Sequence, residues 1–84
     1  MHQEIDKHLA KAIIDITIFL EFSDETVLDA DASVGAMEQL AAELQLMSQD
    51  TKNSLIEQFQ SLASEYPAGR GDFVRSLAET MGLV

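Results

Sequence analysis

Apolar side chains return every third or fourth position along most of this chain, and its single proline, Pro67, falls where the third such stretch ends. That spacing lets a helix bury one face, and the alternation of a half-buried strand is nowhere sustained. A first helix is predicted from Gln3 to Phe22. One of its faces carries Ile5, Leu9, Ala12 or Ile13, Ile16, and Phe19 or Leu20; an adjacent line carries Ala10, Ile14, Ile18 and Phe22. Its C-terminal half is apolar around most of its circumference, so it is either central or shared with a partner subunit. Ile14, Ile18 and Phe22 are therefore the expected dimer seam or partner contact.

Ser23 to Ser33 is rich in Asp, Ser and Thr, which favour turns and helix starts. A second helix follows from Ala32 to Met47, with Asp29 or Asp31 as N-cap and Val34, Met37, Leu40, Ala41, Leu44 and Met47 on one side. Ser48 should cap a third helix, Gln49 to Tyr66, with Asp50 in its first turn, favourable against the helix dipole. Pro67 stops that helix by pushing the residue before it out of the helical region. Pro67 to Gly71 reads as a loop, Asp72 as the cap of a short last helix through Met81, and Gly82 as a left-handed C-terminal cap with Leu83 folding back. The expected fold is all-α: a single domain over residues 1–84, a small helical bundle of three main helices plus a short C-terminal helix.

Charge narrows the partners. Between Lys11 and Lys52 there is no basic side chain but there are nine carboxylates, which account for nearly all of the net charge of -10. Such a field repels nucleic acid and anionic membrane and draws in a basic partner. Glu21, Asp24, Glu25, Asp29, Asp31, Glu38 and Glu43 are the candidate partner-binding residues. A hydrophobic fraction of 46% argues against disorder. The lack of cysteine excludes disulfides, thiol chemistry and thiolate metal sites. Met1 to Asp6 lacks the basic start of a signal peptide. The apolar run Ile13 to Leu20, broken by Asp15 and Thr17, is too short to span a bilayer. A soluble, cytoplasmic protein is expected.

Several motifs touch on chemistry and stop short of it. Asp29-x-Asp31-x-Ser33 opens like a calcium loop, but Val34 stands where the glycine belongs and Leu40 where the bidentate glutamate belongs, so helix capping is the reading. His8-Leu9-Ala10-Lys11 resembles the H-x-x-K core of histidine phosphotransfer domains, yet it lies at the very start of the chain. Asn53-Ser54-Leu55 resembles the D-S-L attachment site of acyl carrier proteins, without the aspartate and a turn inside a helix. Arg70-Gly71-Asp72 is explained by a loop ending in an N-cap. His2 and His8 are not spaced for a shared metal ion on a helix. Asp15 is expected to face solvent. No catalytic residue, metal or cofactor is expected.

Glu38-Gln39-Leu40, then Leu46, then Asp50-x-Lys52-Asn53, together with Leu9-x-x-Ala12-Ile13, is similar in residues and spacing to small immunity proteins of bacterial type VI secretion. The resemblance extends through Glu57-Gln58; Pro67 to Val84 has no counterpart in it. It implies a homodimer that blocks a cognate protein toxin by direct contact, without enzymatic activity. The acidic stretch agrees, since complementary charge speeds and selects association. The alternatives are a carrier or phosphorelay domain acting through Ser54 or His8, or a regulatory adaptor subunit.

Overall fold

The computed structural model describes residues 5–84, and they form four α-helices with no strand among them. α1 spans Lys7–Phe22, α2 Ala30–Gln45, α3 Gln49–Leu62 and α4 Ala68–Thr80, with a 3₁₀ turn, Ala63–Glu65, between the last two. The fold is the small all-α bundle expected from the spacing. The predicted start of the first helix at Gln3 lies outside the described residues, as does His2.

Local chemistry sets the ends. The Asp6 carboxylate accepts from the His8 and Leu9 amides and starts α1. Asp29 does the same for Ala32, so α2 begins at Ala30, two residues earlier than predicted. Ser48 accepts from the Thr51 amide at the head of α3, with Asp50 in the first turn. Each cap satisfies an amide that the helix itself cannot.

The segment around Pro67 differs from the expectation. α3 tightens into the 3₁₀ turn at Ala63 instead of running to Tyr66, and α4 begins at Ala68, directly after the proline. Pro67 has no amide to lose, and its fixed φ of -55° suits the residue before a helix. Gly69 and Gly71 are therefore helical, and so is the Arg70-Gly71-Asp72 tripeptide. Gly71 is buried, and a Cβ there would stand 2.9 Å from the Ala63 carbonyl oxygen. It is a packing glycine that lets α4 lie close against the 3₁₀ turn.

The core is built by α1, α3 and α4. Ile14, Leu55, Phe59, Leu62, Val74, Leu77 and Met81 are fully or almost fully buried, with Ala10, Ala63 and Ala78 filling the close approaches. Thr17 is the buried polar residue among them, and its hydroxyl donates to the Ile14 carbonyl 2.8 Å away. α2 packs chiefly along α1 and contributes one buried side chain, Leu44. The molecule is consequently elongated, 45 × 27 × 20 Å.

α2 is fastened near both of its ends. Ser33 donates to the Leu20 carbonyl beside the α1–α2 connection. At the other end, the Gln45 amide donates to the Met81 carbonyl at 2.8 Å. No described helix is long and apolar enough to cross a membrane.

Candidate functional site

The connection between α1 and α2 concentrates charge. Glu21 closes α1, Asp24 and Glu25 lie in the link, Asp29 caps α2 and Asp31 sits in its first turn, and all five are exposed. Glu38 is two helical turns beyond Asp31 and points the same way, so it extends this surface along α2. Glu43 does not join it. Five residues beyond Glu38, it is rotated about 140° around the helix axis, on a different side near the opposite end. The seven predicted carboxylates are thus one cluster of six and an outlier.

The link is folded. Asp24 accepts from the Thr26 hydroxyl at 2.5 Å and the Thr26 amide at 3.0 Å, while its carbonyl takes the amides of Val27 and Leu28. These bonds, the hydroxyl's above all, hold the Asp24 carboxyl below its ordinary pKa, so it stays charged where free aspartate begins to protonate. Leu28 is half-buried and anchors the turn, whereas Val27 stands 63% exposed at its crest. Apolar contact area therefore sits among the carboxylates.

Phe22 adds an aromatic edge. Its ring meets Phe73 of α4 edge-on at 5.4 Å between centroids, and the Arg70 guanidinium lies 4.7 Å from its centroid. Arg70 is thereby brought to the acidic end by the fold from a distant part of the sequence. Aromatic and arginine side chains at a rim of charge are the composition that anchors protein–protein contacts. Nothing in the sequence around Arg70 signals this placement; it follows from α4 starting at Ala68, five residues earlier than a loop capped by Asp72 allows.

The predicted apolar seam must be corrected. Ile14 is fully buried in the chain's own core, and Ile18 is half-buried against it, so neither is available to a partner. Phe22 remains 45% exposed. The open stripe of α1 is instead the other one: Leu9, Ala12, Ile16 and Phe19. Both stripes have helical spacing; α3 packs along α1, and the buried stripe is the one containing Ala10 and Thr17, whose small side chains permit closer packing.

The chemical motifs have structural work. Ser54 is half-buried within α3 and its hydroxyl accepts from the Ile5 amide at 2.8 Å, tying the chain's start to α3. His8 is exposed in the first turn of α1. Asp15 is exposed as expected and accepts from the Tyr66 hydroxyl at 2.6 Å. Partial burial, with the Asp15 bond and charge added, pushes the Tyr66 hydroxyl well above its usual pKa. Lys7 and Lys11 both reach Glu65, at 3.5 and 3.8 Å, in exposed pairs that contribute little to stability.

Compared with models of known families, with curated proteins and with solved structures, the chain matches none.

Proposed function

We propose that this chain is a cytoplasmic immunity protein that neutralises a cognate effector toxin, of the type VI secretion kind, by direct contact through the α1–α2 end. The observation that supports this reading most is the coincidence of exposed carboxylates with Val27, Phe22 and Arg70 at one end of the molecule. Glu21, Asp24, Glu25, Asp29, Asp31 and Glu38 speed the encounter with a basic toxin surface, and the apolar and aromatic side chains give the contact its residence time. The chain performs no chemistry in this role. A carrier function finds little support, because the Ser54 hydroxyl is occupied and half-buried.

Immunity proteins are encoded beside their toxins, and that sets the experiment. The adjacent reading frame is expressed alone and together with this chain, and then with a variant in which Asp24, Glu25, Asp29 and Asp31 are lysine. The adjacent product is expected to be toxic alone and tolerated with the wild-type chain. The variant should fold, associate more slowly and with weaker salt dependence, and fail to protect. A harmless neighbour, or full protection by the reversed variant, refutes the assignment. A harmless neighbour that still binds would make the chain a regulatory adaptor.

A further inference from the structure

α2 is joined to the molecule differently from the other helices. It contributes one buried apolar side chain, Leu44, whereas α3 contributes Leu55, Phe59 and Leu62, and α4 contributes Val74, Leu77 and Ala78. Among the described residues, two hydrogen bonds cross from α2 to the rest: Ser33 to the Leu20 carbonyl and Gln45 to the Met81 carbonyl. No ion pair among those residues holds it. We propose that α2 is a hinged arm that leaves the body as a unit while α1, α3 and α4 stay folded, and that its carboxylates make its closure depend on ionic strength. The motion belongs to the chain alone, so it stands whether or not the toxin reading does.

The connections at both ends allow this. In the link before α2, Asp24 accepts from Thr26, Val27 and Leu28, and Asp29 accepts from Ala32. After α2, the Leu46 and Met47 amides return to Glu43 and Leu44, while Ser48 already serves α3 by accepting from Thr51. None of these bonds crosses between arm and body, so an outward swing breaks none of them. What opposes the swing is the pair of crossing bonds and the packing of Met37, Leu40 and Ala41 beside Leu44. The body loses little: among the described residues, Leu44 is the one member of α2 in a core of twelve buried apolar side chains.

Charge pushes the same way. From Asp24 to Glu43 the link and arm carry six carboxylates and no base. Holding that segment folded and docked concentrates like charge, and release relieves the repulsion. Salt screens exposed charges, so it favours the closed arm. Once released, a helix of 16 residues is marginal in water, and its amides then exchange with solvent. Opening is therefore visible at the backbone.

The test is native-state hydrogen exchange of the full chain, read amide by amide by NMR and corrected for intrinsic rates. The interior amides of α2, Met37 to Leu44, should share one protection factor, at least about 100-fold below those of Leu55, Phe59 and Leu77. Raising NaCl from about 20 mM to about 500 mM should increase it about threefold. Gln45→Ala should lower it about fivefold, the equivalent of one hydrogen bond. Gly71→Ala acts on the body instead, through the 2.9 Å approach to the Ala63 carbonyl oxygen. That contact persists when the arm is open, so protection should fall in α3 and α4 while α2 changes by less than about twofold. The wild-type profile and its salt response decide the matter even if Gly71→Ala fails to fold. Equal protection in all four helices overturns the proposal, as does α2 protection that climbs from frayed ends to a core-like centre. So does an α2 that ignores salt, or one that follows the body in Gly71→Ala.

Discussion

Gly82→Ala should destabilise this fold far more than its place near the chain's end suggests. Gly82 follows α4 with φ at +72°, in the left-handed region. Its amide reaches the Glu79 carbonyl at 3.0 Å and the Leu83 amide reaches Ala78 at 2.9 Å, the paired bonds of a Schellman cap, with Leu83 buried behind them. An alanine there costs about 1–2 kcal/mol of backbone strain. Its Cβ would also stand 2.6 Å from the Gln45 side-chain nitrogen. Gln45 is flexible enough to move away, but it would then lose the 2.8 Å bond to Met81 that ties α2 to α4. That loss is worth about 1 kcal/mol. The expected total is about 2–3 kcal/mol, against a stability of about 4–12 kcal/mol for a domain of this length.

Urea unfolding followed by far-ultraviolet circular dichroism measures the loss, and a double-mutant cycle with Gln45→Ala isolates the tether. Gln45→Ala should cost about 1 kcal/mol in wild type and almost nothing in Gly82→Ala, because the bond is already broken there. Additive effects would show that Gln45 and Gly82 are not coupled. A cost below about 0.5 kcal/mol for Gly82→Ala would show that the cap is not strained by a side chain.

Two further perturbations probe the core and the Tyr66 bond. Ile14→Ala should cost about 2–5 kcal/mol, as a fully buried side chain leaves a cavity; Ile16→Ala, on the open stripe, should change the stability of the single chain by under about 1 kcal/mol. Thermal melts compare the two, and similar losses would refute the assignment of the stripes. Tyr66 is the only tyrosine, so its ultraviolet absorbance reports one group. Its folded pKa lies above the ordinary value, so the stabilisation it contributes is complete below about pH 10 and lost as pH rises toward the folded value. A midpoint at the free tyrosine value in the folded chain would contradict the bond to Asp15, and Asp15→Asn should lower the observed midpoint.

The fold class, the caps at Asp29, Ser48 and Gly82, and the order of helices were all legible, because each depends on local spacing or one polar side chain. Two features were not. Pro67-Ala68-Gly69-Arg70-Gly71 has a loop's composition, but proline is also well suited to precede a helix, and Gly71 serves close packing against Ala63. Composition does not separate these uses; the tertiary neighbour does. On α1, two stripes of equal periodicity compete for the interior, and side-chain size misleads. The buried stripe contains Ala10 and Thr17, whereas Leu9, Ile16 and Phe19 stay open. A long-range choice of this kind is made by the helices packed along α1, α2 and α3, not by α1 itself.

That choice also explains how so acidic a chain can fold with so small a core. The helices that build the interior carry little net charge: α1 and α4 each balance two bases against two acids, and α3 has an excess of one carboxylate. Six of the ten uncompensated negative charges lie on α2 and the link before it, which bury little and are held to the rest by Ser33, Leu44 and Gln45. Repulsion among carboxylates is therefore kept where the chain is most exposed and solvent screening is strongest. Neutralising that region should stabilise the fold only slightly. A basic surface docked there, as proposed, would relieve the same repulsion and so draw on energy that the free protein leaves unsatisfied.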